Sequence, residues 1–236
     1  MNNSGILYLI PTTLGNDNTD KVIPQYNYAI INSLDEFIVE ELRSARRFLR
    51  KANFNKDFDN VIFHVLNKHT KYEESIYYLE SLKKGKNIGL LSEAGVPCVA
   101  DPGAEIVKMA HKSNIKVIPL TGPSSIILSL MASGFNGQNF AFIGYLPIKE
   151  NERNRKIKEL ENLALKNNQT QIFIEAPYRN TQVLNSLIKV CSNKTQLCIA
   201  CNLTLENEYI STKSIFEWRK YKPEIQKKPT VFLISV

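Results

Sequence analysis

Two acids, two glycines and two prolines are concentrated within LLSEAGVPCVADPG, residues 90–103, after a short apolar run. Glycine lets a backbone approach a ligand closely, and proline stiffens a turn. An acid placed between them can accept hydrogen bonds or face a cation. These residue types predict a loop that holds a ligand, without saying which ligand.

Three more loops follow predicted strands in the same way: PTTLGN (11–16), TGPSS (121–125) and GYLP (144–147). In open α/β sheets, ligands bind outside the carboxyl ends of the strands, so we predict that the four loops converge on one crevice. None matches G-x-G-x-x-G or G-x-x-x-x-G-K-[ST], the dinucleotide and phosphate fingerprints. Simple chain reversal explains each loop taken singly, and the four together favour a ligand site.

Short apolar runs predict the buried strands that would position these loops, at 6–10, 86–91, 115–120, 139–146 and 170–176. Helical patterns lie between them, at about 103–113, 123–133, 151–167 and 179–191. This alternation predicts an α/β fold with largely parallel sheets. Near the end, EYIST and TVFLISV look like strands without an intervening helix, which predicts an antiparallel edge or hairpin.

One segment, SLDEFIVEELRSARRFLRKA (33–52), permits two interpretations. Ser33 and Glu36 have the spacing of a helix capping box, and apolar residues recur at helical intervals after them. The pattern alone predicts one long helix. EFIVEE can also be a strand that turns into a helix near Arg43, and local propensity does not decide between the two.

The composition, 43% hydrophobic and 22% charged, is that of a globular protein and excludes a disordered or fibrous chain. The net charge of +7 favours a polyanionic partner, although solubility explains such a charge equally well. No apolar run approaches the roughly 18 residues of a membrane helix, so we expect a cytoplasmic protein without membrane contact. The four cysteines lack the paired spacing of a zinc site, and CIAC (198–201) lies in an apolar run typical of a buried strand. We expect free thiols and no metal.

Five segments together resemble the tetrapyrrole methylase superfamily: LYLIPTTLGN, LLSEAGVPCVADPG, VIPLTGPSSIILSLMASGF, FAFIGYLP and IFIEAPYR. Within it they are most similar to the bacterial ribosomal RNA ribose 2'-O-methyltransferases. The resemblance implies an S-adenosylmethionine-dependent methyltransferase, usually a homodimer, of two α/β domains with the cofactor in the cleft between them. It implies domains at 1–119, with the acceptor side and part of the cleft, and at 120–236, with the rest.

The resemblance also implies which residues contact S-adenosylmethionine: Pro11, Glu93, Val96, Ser125, Ile126, Tyr145, Leu146, Asn202 and Thr230. Glu93 stands where the family usually has Asp, and it can accept a hydrogen bond from a hydroxyl or ammonium group or cap a surface helix. Ser125, at a predicted helix start, can bind a carboxylate or cap its own helix.

The ribose methyltransferase branch carries E-D-T-R after its second strand, and this chain has EELR, residues 40–43. The resemblance therefore favours strand, turn and helix for the ambiguous segment, and it makes Glu40, Glu41 and Arg43 the catalytic candidates. Removal of the ribose hydroxyl proton needs such a group. The arginines at 43, 46, 47 and 50 then form either a helix suited to phosphates or an ordinary solvated face.

Several departures from that branch concern the acceptor. The chain lacks the T-x-R-A opening of the first helix, has Tyr178 where His is common, and does not contain the branch's C-terminal extension. We predict a methyltransferase that acts on RNA, specifically on a ribosomal RNA ribose hydroxyl. Two alternatives stay open: a methyltransferase of a tetrapyrrole or other small molecule, which a deep apolar cleft would favour, and a non-catalytic basic RNA-binding protein.

Overall fold

The computed structural model describes residues 4–15, 18–67, 70 and 72–236, with only the backbone of residues 72 and 73. Asn16, the last residue of the first predicted loop, lies outside this part of the chain. The chain forms two compact units, Met1–Ser124 and Ser125–Val236. The functional division of the domains into an acceptor side and a cofactor side stays a prediction.

The first unit is built on a five-stranded parallel sheet. Its strands are β1 (Ile6–Ile10), β2 (Glu36–Val39), β3 (Ile62–Val65), β4 (Ile88–Leu91) and β5 (Lys116–Pro119), in the order β3-β2-β4-β1-β5. Its helices are α1 (Gln25–Ser33), α2 (Leu42–Lys51), α3 (Tyr72–Tyr77), α4 (Glu80–Lys83) and α5 (Gly103–Lys112). Helices between parallel strands are what the alternating pattern predicts.

Hydrophobic clusters cover both faces of this sheet. Phe37 and Val39 of β2 belong to a cluster that includes residues of α1 and α2. Ile38, between them, belongs to a second cluster with residues of α4 and α5. Because successive strand side chains point to opposite faces, a strand buried on both sides reads as a continuous apolar run. The sheet is therefore packed against helices on both of its faces.

The segment 33–52 is not one helix. Ser33 ends α1 and donates its hydroxyl hydrogen to the Ile30 carbonyl, and β2 and α2 follow as separate elements. All four residues of β2 are buried between β3 and β4. The prediction of a long helix is wrong because pairing inside the sheet outweighs the local helical stripe. The arrangement of strand, turn and helix is confirmed.

The second unit contains a mixed sheet. Its strands are β6 (Phe140–Tyr145), β7 (Thr170–Ile174), β8 (Gln196–Cys201), β9 (Tyr209–Ser214) and β10 (Thr230–Ser235), in the order β6-β7-β10-β8-β9. Strands β6 and β7 are parallel, whereas β10 is antiparallel to both neighbours and β8 to β9. Its helices are α6 (Ser125–Ser133), α7 (Glu150–Asn167), α8 (Asn180–Val190) and α9 (Ile215–Trp218).

The antiparallel edge predicted near the end of the chain is confirmed, since β9 is an edge strand of the sheet, but β9 and β10 do not form a hairpin. The strands β9 and β10 are antiparallel to β8 but lie on either side of it, and α9 separates them in sequence. Ser214 and Glu217 form a capping box that starts α9, and buried Trp218 donates Nε1–H to the Leu197 carbonyl at 2.9 Å. The buried Trp218 therefore lies in a short helix between β9 and β10, where the sequence predicted no intervening helix.

Two further observations bear on the class of protein. The run CIAC lies in β8 and is buried, as the apolar pattern predicts, and all four cysteines are free. Among the residues described, no helix is both long enough and apolar enough to cross a bilayer.

Candidate functional site

In the first unit, four loops leave the sheet at one edge. They follow β2, β4, β1 and β5, which are neighbours and parallel, so their carboxyl ends lie side by side. Three of the four predicted ligand loops, 11–15, 92–103 and 121–124, are therefore brought together with Glu40. The fourth, 144–147, belongs to the second unit.

Direct contacts hold these loops together. Thr12 donates its backbone N–H to the Gly95 carbonyl at 2.9 Å, and its Oγ1 lies 3.3 Å from Ser92 Oγ. Ser92 Oγ in turn donates to the Gly95 carbonyl. Gly95 has a φ of +77°, a conformation that favours glycine. These contacts fix the position of Pro11 and of the loop that contains Glu93 and Val96.

Gly122 is required for the same packing. A Cβ atom there would lie 2.2 Å from Cγ of Pro11, whose ring cannot rotate away. We expect G122A to lower the free energy of unfolding by about 1–3 kcal/mol, measured by urea denaturation with far-UV circular dichroism. A Cβ atom at Gly137 would have no neighbour within 4 Å, so G137A is the matched control and should change little. Equal losses in both variants would contradict this role.

Glu40, directly after β2, is half-buried at the loop edge of the sheet. Burial, together with the negative charges of Asp101 and Glu93, raises the pKa of Glu40 to about 7. An open cavity of about 520 Å³ lies beside it, lined by Glu40, Asn67, Ala100, Asp101 and Pro102. A carboxyl group with a pKa near 7 at the wall of an open cavity is suited to accept a proton from a bound hydroxyl group.

The two acids near Glu40 are themselves held in place. Asp101 accepts hydrogen bonds from the backbone N–H groups of Cys98 and Gly103 at 2.8 and 2.7 Å. Glu93 is exposed, and its Oε1 accepts a hydrogen bond from Ser44 Oγ at 2.8 Å. This last contact connects the start of α2 to the loop after β4. Asp101 and Ser44 were not singled out in the sequence, although Asp101 belongs to the acid-bearing loop quoted above.

Glu41 has a different environment from Glu40. It is the N-cap of α2, and its two carboxylate oxygens accept hydrogen bonds from the backbone N–H groups of Arg43 and Ser44 at 2.8 and 2.6 Å. These bonds hold the pKa of Glu41 below its usual value. Glu41 is therefore engaged in starting the helix, and Glu40 is the better placed of the two as a base.

The arginines of α2 fall into two groups. The guanidinium of Arg46 lies over Phe58 and Phe63, and that of Arg50 lies 4.0 Å from the Phe58 ring centroid. Arg50 also donates to the carbonyls of residues 54 and 56. Arg43 and Arg47 are exposed on the helix. These two are the arginines best placed to meet a phosphate.

In the second unit, four of the predicted cofactor residues lie at one edge of the mixed sheet. Tyr145 and Leu146 come at the end of β6, Asn202 follows β8, and Thr230 begins β10. The register aligns Thr230 with the last residue of β8 and the end of β6 with the end of β7. The side chain of Leu146 is buried in the hydrophobic core, so its backbone is the part available to a ligand.

The remaining predicted residues of this unit begin α6. Ser125 is its first residue, and Ile126 is largely buried. Tyr145, by contrast, is 60% exposed, after an irregularity in the pairing of β6 with β7 at Gly144. Strand bulges often redirect a side chain in this way. The structure therefore brings the predicted residues to two sheet edges and a helix start, and their role in cofactor binding stays a prediction.

A buried ion pair lies next to Leu146 and was not predicted. Arg179 Nη2 is 3.1 Å from Glu175 Oε2, and the same Nη2 donates to the Pro147 carbonyl at 3.2 Å. Glu175 Oε1 accepts the Ala176 backbone N–H at 2.8 Å. The pair thereby ties the end of β7 to the turn after β6. Its only signal in the sequence is an acid and a base four residues apart in IFIEAPYR.

No group of three or more His, Cys, Asp or Glu side chains suited to a metal ion is present in the described part of the chain. The first unit offers a group that suits S-adenosylmethionine, because the exposed carboxylate of Glu93 can accept hydrogen bonds from hydroxyl or ammonium groups.

Comparison with known proteins gives a consistent result. The model of the Tetrapyrrole (Corrin/Porphyrin) Methylases matches residues 22–217. Ribosomal RNA small subunit methyltransferase I of Buchnera aphidicola subsp. Schizaphis graminum is 32% identical, covering 99% of this chain and 79% of its own. The protein of the same name from Bacillus subtilis is 34% identical, covering 90% and 68%.

Solved structures share the fold at low sequence identity. The methyltransferase CobJ superimposes with a TM-score of 0.64 at 15% identity, covering 98% of this chain and 94% of its own. Uroporphyrin-III C-methyl transferase from Thermus thermophilus, complexed with S-adenyl homocysteine, has a TM-score of 0.60 at 13% identity, covering 98% and 97%. At such identities the likeness is one of fold.

Proposed function

This chain belongs to the tetrapyrrole methylase family, and we propose that it methylates a ribose 2'-hydroxyl of small-subunit ribosomal RNA. It is a methyltransferase that depends on S-adenosylmethionine. The proposed acceptor rests on the names of its relatives and on one observation above all. That observation is Glu40, a carboxyl group with a pKa of about 7 at the wall of an open cavity.

In the proposed reaction, Glu40 accepts the proton of the ribose hydroxyl as its oxygen bonds to the methyl carbon. S-adenosylmethionine, when bound, supplies that carbon on a sulfonium whose C–S bond breaks. Asp101 and Glu93 increase the proton affinity of Glu40. Because methyl transfer is a direct displacement, alignment of the reactants carries much of the rate, and no covalent link to the protein is needed.

We propose that the predicted cofactor residues hold S-adenosylmethionine through acceptors and backbone groups. Glu93 would accept a hydrogen bond from a hydroxyl or the ammonium group, and the backbone of residues 93–96 would bind the polar edge of the cofactor. The contacts among Thr12, Ser92 and Gly95 support this role because they make the loop rigid before any ligand binds. A rigid site loses less entropy on binding.

The character of the cavity supports RNA over a tetrapyrrole. Its walls include Glu40 and Asp101, and it is open to solvent. The exposed Arg43 and Arg47 on α2 offer positive charge for flanking phosphates. A homodimer and a cytoplasmic location stay predictions.

The proposal is tested by incubating the protein with S-adenosylmethionine carrying a tritiated methyl group. The acceptors are small ribosomal subunits, large ribosomal subunits from the same cells, and uroporphyrinogen III, all prepared from a strain that lacks this protein. We expect label in small-subunit RNA alone, and S-adenosylhomocysteine should inhibit its incorporation. Label in the tetrapyrrole or in large-subunit RNA, or no label in small-subunit RNA, would refute the proposed acceptor.

A further inference from the structure

Basic and aromatic residues are interspersed in KSIFEWRKYK (213–222), which runs from the end of β9 through α9 and four residues beyond it. We call its solvent-facing side chains the aromatic–basic surface: Lys213, Phe216, Arg219, Lys220, Tyr221 and Lys222. None of them belongs to the candidate site described above.

The aromatic rings of this surface are presented to solvent on a rigid support. Phe216 is 50% exposed and Tyr221 is 51% exposed. Trp218 beneath them is fully buried and stacks on Tyr221, with 6.3 Å between the ring centroids. Its hydrogen bond to the Leu197 carbonyl fixes α9 on the sheet. Two large exposed rings held in this way are available to stack with a partner.

The cations of the surface lie close to these rings. Lys220 Nζ is 4.4 Å from the Phe216 centroid, and Lys213 Nζ is 4.7 Å from that of Tyr221. Arg219 and Lys222 donate to residues of α8. Among the described residues, none of these four cations forms an ion pair with an acid. The one acid of the segment, Glu217, is engaged in the capping box with Ser214.

The net charge of the second unit also favours an anionic partner. Residues 125–236 contain fifteen Lys and Arg and nine Asp and Glu, which is +6 of the total net charge of +7. Residues 1–124 contain fifteen and fourteen and are nearly neutral. The excess positive charge therefore belongs to the unit that carries the aromatic–basic surface.

We propose that the aromatic–basic surface binds a single-stranded segment of RNA. Bases stack on Phe216 and Tyr221, and phosphates lie against Lys213 and Lys220. Stacking rings combined with a positive surface are what single-stranded nucleic acids bind, and every base offers a face for stacking. This is a binding activity beyond methyl transfer, and the choice of RNA as the occupant rests on the proposed function.

The test is fluorescence anisotropy of a labelled 12-nucleotide oligouridylate at several KCl concentrations. The F216L/Y221L variant keeps apolar bulk but removes both rings, and we expect binding to weaken about tenfold or more. The K213Q/K220Q variant should lower the dependence of log K on log salt by about 1.4, the value for two phosphate contacts on a single strand. The K149Q/K166Q variant, which loses two exposed lysines at the two ends of α7 in the same unit, is the matched control.

Wild-type affinity in both surface variants, an equal loss in the control, or no binding by the wild-type protein would overturn the proposal. A surface that serves a protein partner would give the first of these results. The proposed function is tested in a separate experiment, which measures tritium transfer to small-subunit RNA. If the oligonucleotide binds through this surface but no label is transferred, RNA binding by the aromatic–basic surface is supported and the proposed methyl acceptor is wrong.

Discussion

The E40Q variant is expected to transfer methyl groups at least about a hundredfold more slowly than the wild-type protein at saturating substrates, because general base catalysis contributes roughly 10²–10⁴. The amide has nearly the shape of the carboxyl group but cannot accept the hydroxyl proton. Binding of S-adenosylmethionine, measured by calorimetry, should be nearly unchanged. The E105Q variant, at an exposed acid of α5, is the control and should keep full activity.

The same assignment predicts the pH dependence. Glu40 must be ionised to accept a proton, and its pKa is raised to about 7. The value of kcat/KM, which reports the free enzyme, should therefore rise with pH through about 7 and level off above it. Below that midpoint it should fall about tenfold per pH unit. The fall of kcat/KM below pH 7 should be missing from any residual activity of E40Q. Methyl transfer by E40Q at the wild-type rate would show that Glu40 is not the base.

Replacement of Arg179 by methionine is expected to lower the free energy of unfolding of the second unit by about 3–5 kcal/mol. The Glu175 side chain is 1% exposed and Arg179 8%. Removal of the guanidinium leaves a buried carboxylate without its counter-charge, and it also frees the Pro147 carbonyl. Trp218, the one tryptophan of the sequence, is buried in this unit, so its fluorescence during urea denaturation reports the change.

Two further variants test whether the loss of stability in R179M comes from the unpaired buried charge of Glu175. The E175Q/R179M variant removes both charges and should recover much of the lost stability, because no uncompensated carboxylate remains. The K149M variant breaks the exposed pair of Lys149 with Glu152 in the same unit and should change stability by no more than about 0.5 kcal/mol. A cost of R179M no larger than that of K149M would show that the buried pair has little effect on stability.

The fold could be predicted where burial on both faces of a sheet leaves a short apolar run, as in β1 and β4. The segment 33–52 could not be resolved from its pattern. Ile38 and Leu42 continue a helical stripe, and only pairing with β3 and β4 makes β2 a strand. Of the two alternatives for the end of the chain, the antiparallel edge is confirmed by β9, whereas the hairpin is wrong. The sequence did not predict α9, because the contact of its Trp218 is with the distant strand β8.

The site could be predicted in part. The resemblance named Glu40 and Glu41 together, whereas the structure distinguishes a half-buried acid from a helix cap. That difference depends on Asp101, which the fold brings from the loop after β4. The pair of Glu175 and Arg179 was missed because the same spacing occurs on exposed helices. Burial decides its importance, and burial is set by the sheet around it.

The position of the transferred methyl group tests the central claim most directly. Small-subunit RNA labelled with tritium by the wild-type protein is hydrolysed completely in alkali, and the products are separated by size. Methylation of a ribose 2'-oxygen removes the nucleophile that alkaline cleavage requires, so we predict that the label stays in an alkali-resistant dinucleotide. Label recovered in mononucleotides would mean that a base is methylated, and it would contradict the assignment of Glu40 as the base for a ribose hydroxyl.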